Sequence, residues 1–81
     1  MKRLEERMKE IEYLVDGLAL GDGPEVITNP FSGRSVELDP VGVALYDLVK
    51  GCELLGDYKT MGLALDAFIE RYPEEYYILL D

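Results

Sequence analysis

The stretch DPVGVALYDLVKGCELLGDYKTMGLALDAFIERYP, from Asp39 to Pro73, decides how this chain folds. Asp39-Pro40 opens a helix, with the carboxylate as N-cap and the proline at the first helical position. Val41, Ala44, Leu45, Leu48, Cys52 and Leu55 then recur at helical spacing along one face. Gly56 suits the left-handed position that closes a helix, and Asp57 caps the next one at once. Tyr58, Met61, Ala64, Leu65, Phe68 and Tyr72 form the second stripe, which Pro73 ends or resets. A connection this short forces the two helices antiparallel. If Ala44 and Ala64 face each other, the helices can approach closely.

Upstream, residues 24–39 change character. Val26, Ile27 and Thr28 favour extended backbone, and Ser35, Val36, Glu37 and Leu38 alternate in the same way. Between them Asn29-Pro30-Phe31-Ser32-Gly33 supplies turn chemistry: Pro30 presets a negative φ, and Gly33 tolerates a positive one. A short β-hairpin is expected. Two strands alone are marginal in water, so the hairpin must lie on the helices or pair with a second copy. Phe31 at its tip is either tucked beneath or offered as a contact.

Earlier still, residues 2–19 read as an amphipathic helix. Leu4, Met8, Ile11, Val15 and Leu18 recur as a heptad seam, and Gly21 and Gly23 end the segment. The seam serves either the chain's own core or dimerisation with a second copy. After Pro73, residues 74–80 form one short helix or an extended tail. The whole is one domain over residues 1–81: helix 1–20, hairpin 24–39, helical hairpin 40–72 and tail 73–81. The fold class is mainly α with a minor β part, three helices with a hairpin between the first and second.

At 81 residues the chain is near the lower limit for an independent core. Apolar burial contributes on the order of 120 kcal/mol, and ordering the chain costs a similar amount. So even a balance favours self-association, and a homo-oligomer is expected. Seventeen Asp and Glu against eight Lys and Arg give a net charge of −9. That opposes direct contact with nucleic-acid phosphate or an anionic membrane, and it suits a partner with a basic surface. No apolar run is long enough to span a bilayer, and Lys2, Arg3, Glu5 and Glu6 interrupt the place where a signal sequence would become apolar. With one cysteine, Cys52, the expected compartment is a reducing cytoplasm.

Catalytic equipment is sparse. The chain has no histidine, which removes the commonest general base and metal ligand. Cys52 lies on an apolar stripe and reads as a buried, inert thiol. Asp22-Gly23 lacks the alternating acids of a calcium loop, and no Gly-Lys-Ser/Thr follows Gly17, Gly21 and Gly23. Neither an enzyme nor a cofactor is expected.

Two surfaces remain. Asp47, Glu53, Asp57, Asp66, Glu70, Glu74 and Glu75 make the helical hairpin and its exit acidic. Such a face either keeps the domain dispersed or imitates a nucleic acid toward a basic groove. Tyr72, Tyr76 and Tyr77 cluster beside Ile78, Leu79 and Leu80, and tyrosines suit an interface as well as a core edge.

Within Leu48–Tyr76, the segments Leu55-Gly56-Asp57-Tyr58 and Tyr72-Pro73-Glu74-Glu75-Tyr76 resemble a tetratricopeptide-type helical hairpin. Only one unit is present, which implies a shared helical-hairpin solution and not a stacked array. The run from Asn29-Pro30-Phe31-Ser32-Gly33 through Val41, Ala44-Leu45-Tyr46-Asp47, Gly51-Cys52-Glu53 and Tyr72–Tyr76 to Leu79-Leu80-Asp81 is similar to small open reading frames of bacterial viruses. That resemblance covers residues 28–81. It implies an infected bacterial cytoplasm and brings no mechanism with it.

The expectation is therefore an interaction module, virus-encoded, that binds or inhibits a host protein. Asp47, Asp57, Asp66, Glu70 and Glu74 would steer, and Tyr76, Tyr77 and Phe31 would anchor. The alternatives are an oligomer that sequesters a small ligand between subunits, or a minor virion or assembly component.

Overall fold

A computed structural model describes residues 4–80. The elements run α1 (Leu4–Asp16), β1 (Glu25–Thr28), β2 (Ser35–Leu38), α2 (Pro40–Leu55), α3 (Tyr58–Arg71) and α4 (Pro73–Leu79). The chain is mainly helical with a two-stranded antiparallel hairpin, and the segment after Pro73 adds a fourth, short helix.

Local chemistry fixes both ends of α2. Asp39 Oδ1 accepts from the Gly42 N–H at 2.8 Å, and Pro40 takes the first turn, where its missing N–H costs nothing. At the other end Gly56 has φ 74°, a value that a side chain would strain. The Gly56 N–H reaches the Glu53 carbonyl at 3.4 Å and the Asp57 N–H reaches that of Cys52 at 3.0 Å, satisfying two of the helix's last acceptors. Asp57 then caps α3 through the Thr60 N–H at 3.2 Å. The antiparallel α2–α3 pair that results is the body of the molecule.

The core lies between this pair, the inner face of the hairpin, α4 and one face of α1. Phe68, Leu38, Leu45 and Val49 are the largest fully buried side chains, joined by Ala64 and Ala67. Two details of the stripes differ from expectation. Val49 and Ala67 are buried, whereas Leu55 and Tyr58, which end the first stripe and begin the second at the turn, are 84% and 70% exposed. The buried face of α2 runs Gly42, Leu45, Val49, Cys52, because α2 starts against the end of β2. A Cβ on Gly42 would sit 3.1 Å from Leu38 Cδ2 and 3.2 Å from Tyr72 Cζ. A side chain there would require Leu38 or Tyr72 to give way by a few tenths of an ångström.

In the hairpin Glu25 pairs with Leu38, Val26 with Glu37, Ile27 with Val36 and Thr28 with Ser35. Period-two alternation turns Ile27, Val36 and Leu38 inward and leaves Val26 outward. The hairpin thus lies on the helices of its own chain.

Helix α1 is shorter than its sequence pattern suggested, ending at Asp16 and not near residue 19. Gly17 follows, and its backbone entropy makes continuing the helix unfavourable. The later part of the heptad seam, from Ile11 onward, faces inward. Ile11 is 8% exposed within the core, and Val15 and Leu18 pack against it together with Leu14. Met8 stands at the edge, half exposed, and the Leu4 side chain lies outside the described residues. Of the residues expected to serve dimerisation, Ile11 is spent on the chain's own core, Val15 and Leu18 are partly buried beside it, and Met8 keeps half of its surface open. Arg7 of α1 fastens the contact by donating from Nε and Nη2 to Asp66 Oδ2 of α3.

Candidate functional site

The most distinctive surface is a groove bounded by the hairpin tip, the second half of α2, α3 and α4. Its volume is about 300 Å³. Val49, Met61, Leu65 and Leu79 give it an apolar lining, and Lys50 and Glu53 on α2 put one charge of each sign along the same wall. Phe31 comes from the hairpin and Tyr76 from α4.

Asn29 organises this end of the molecule. Its Oδ1 accepts from the Phe31 N–H at 2.8 Å, a side-chain-closed turn that sets the course of the loop. Its backbone N–H donates to Arg34 O at 2.8 Å, and its carbonyl accepts from Gly33 N–H at 2.9 Å, with Gly33 at φ 75°. Its Nδ2 donates to the Ile78 carbonyl at 2.9 Å, one of the acceptors left open at the end of α4. One side chain thus shapes the loop and ties it to the last helix. Phe31 is 95% exposed on this braced loop, so it is offered and not tucked beneath.

The other expected contact residues are scattered. Tyr76 is half buried in the groove, and Tyr77 is 70% exposed, edge-on to Tyr76 at 6.1 Å between ring centroids. Asp47, on the exposed side of α2, lies one turn before Lys50. Asp57 is occupied as the cap of α3, and Asp66 is held by Arg7. Glu70 and Glu74 are exposed on α3 and α4 and do not border the groove. Of the eight residues expected to bind a partner, the groove brings together Phe31 and Tyr76.

Asn29, Lys50 and Glu53 complete the polar part of the groove. Asn29 before Pro30 carried a legible turn signal, but its reach to Ile78 had none.

Among the described residues no cluster of three or more histidine, cysteine or carboxylate groups is placed to hold a metal. The Cys52 thiol is buried, and its pKa is pushed up first by that burial and then by the charge of Asp57, which disfavours the thiolate. Tyr72 Oη donates to Asp39 Oδ1 at 2.6 Å; burial and this bond push Tyr72 up to about 12, while the same bond and the Gly42 N–H hold Asp39 low. The proton stays on the tyrosine across the physiological range, so the pair fastens structure. No described helix is long and apolar enough to cross a membrane.

Comparison with protein-family models, with curated proteins and with solved structures finds no match. The groove's own geometry is what bears on function.

Proposed function

We propose that this chain is a small acidic protein-interaction module that holds a basic partner protein at the groove between the hairpin tip, α2 and α4. The observation that carries the reading is Phe31, almost wholly exposed on a loop braced by Asn29 beside an apolar groove. An exposed aromatic on a braced backbone loses less main-chain freedom on binding than one on a loose loop, and aromatic anchors beside pockets dominate interface energies. Tyr77 adds a second exposed ring near the groove's Tyr76.

The net charge of −9 supplies steering toward a basic surface. Asp47, Glu70 and Glu74 serve this role, since they are exposed and have no structural duty of the kind that occupies Asp57 and Asp66. The resemblance of residues 28–81 to small reading frames of bacterial viruses favours a host protein as the partner.

The test pairs capture with mutation. Immobilised protein is exposed to bacterial lysate at low and high salt, the retained protein is identified, and its affinity is measured against the wild type and Phe31→Ala. The expected result is a stoichiometric partner whose binding weakens with salt and falls roughly tenfold or more for Phe31→Ala. A partner indifferent to Phe31 and to salt would end this reading.

A further inference from the structure

Folding brings together two lysines that are far apart in the sequence, Lys9 on α1 and Lys59 on α3. They border an open trough between these helices, about 480 Å³ in volume, floored by Leu14 and Leu63 and walled by the exposed Tyr13. Thr60 and Glu10 complete its rim, and it shares no lining residue with the groove that carries Phe31. Both lysines are exposed and make no ion pair or hydrogen bond among the described residues. The neighbouring Arg7 is already committed to Asp66.

The charge at this rim opposes that of the molecule. Two ammonium groups meet one carboxylate here, whereas the chain as a whole has eight bases to seventeen acids. An apolar floor beside unpaired cations selects a ligand with an apolar body and an anionic head. A cationic ligand would meet like charge, and a neutral one would leave both lysines without a counter-ion. A carboxylate head can offer one oxygen to each of the two ammonium groups, a charge-assisted pairing that suits two lysines on one rim. The volume lies within the usual range of small-molecule sites, roughly 300–1,000 Å³.

We propose that the trough between α1 and α3 binds a small amphipathic carboxylate, its head between Lys9 and Lys59 and its body along Tyr13, Leu14 and Leu63. This site is independent of the partner groove, and either can exist without the other.

Octanoate is the probe, followed by amide and side-chain resonances and by calorimetry, with 1-octanol and octylamine as neutral and cationic counterparts of equal length. Saturable binding of octanoate is expected, with shifts confined to Tyr13, Leu14, Thr60, Leu63 and their neighbours. The double variant Lys9→Gln/Lys59→Gln should weaken it roughly tenfold, about 1.4 kcal/mol, whereas Lys9→Arg/Lys59→Arg retains it. Both side chains are exposed, so an unchanged resonance pattern in the free variants verifies the fold. Equal affinity for 1-octanol, unchanged binding by the double glutamine variant, shifts centred on Phe31 and Tyr76, or no saturable binding would each overturn the assignment.

Discussion

The Tyr72 hydroxyl donates to Asp39 Oδ1, the oxygen that also accepts from the Gly42 N–H, so the residue that ends α3 closes onto the residue that starts α2. Tyr72 also lies against Phe68 at 5.2 Å between ring centroids. One side chain therefore joins the centre of the core to a helix cap.

Tyr72→Phe keeps the ring and removes the bond. It should destabilise the protein by about 1–2 kcal/mol. Asp39→Ala removes the cap as well and should cost more, about 2–3 kcal/mol. Because both bonds share one oxygen, the double variant should lose less than the sum of the two single ones. Urea unfolding of the four proteins measures this, and strict additivity would show the two bonds to be independent.

The same pair predicts a two-sided pH dependence. Asp39 is lowered from its ordinary 3.8, first by the Tyr72 hydroxyl and then by the Gly42 N–H. Its stabilisation is complete above that ordinary value and is lost as pH falls through the lower folded one. Tyr72 is raised from 10.0 to about 12, so its contribution is complete below 10.0 and is lost as pH rises toward about 12. Melting temperature against pH should show both limbs in the wild type, and Tyr72→Phe should lose this residue's share of the alkaline one.

Two helical glycines in α2 should respond oppositely to alanine. At Gly42 the new methyl meets Leu38 and Tyr72 at 3.1–3.2 Å, and overpacking of about 1–3 kcal/mol outweighs a helix gain of up to about 1 kcal/mol. At Gly51 nothing lies within 4 Å, so Gly51→Ala should stabilise by up to about 1 kcal/mol. Thermal unfolding of the two variants should show shifts of opposite sign.

Asn29→Ala removes the loop-closing acceptor and the link to Ile78. A loss of about 1–2 kcal/mol is expected, with faster hydrogen exchange at Phe31 and Gly33 than at the centre of α2. Uniform acceleration across the chain would mean that the loop and the helices open together.

The boundaries of α2 and the start of α3 were legible because capping is local: Asp39-Pro40 and Gly56-Asp57 carry their own hydrogen-bonding logic. The phase of the buried face was less so. Gly42 contributes no hydrophobic signal, yet its closeness to Leu38 and Tyr72 seats that end of α2 and turns Val49 inward. Helix α1 announced its seam plainly, but a stripe that packs on α3 and one that meets a second copy read alike until Ile11 is seen in the core. Of the candidate groove, Phe31 and Tyr76 stood out in the sequence as aromatic residues, but their arrangement did not. Their convergence rests on Asn29 reaching Ile78, a contact between distant parts of the chain. For the same reason no periodicity could place Lys9 beside Lys59.

The Asn29–Ile78 link also has a mechanical side. Because the loop bearing Phe31 is tethered to the helix bearing Tyr76, parting these two walls means breaking the Asn29–Ile78 hydrogen bond, so an opening of the hairpin tip away from α4 costs about 1 kcal/mol for that bond alone.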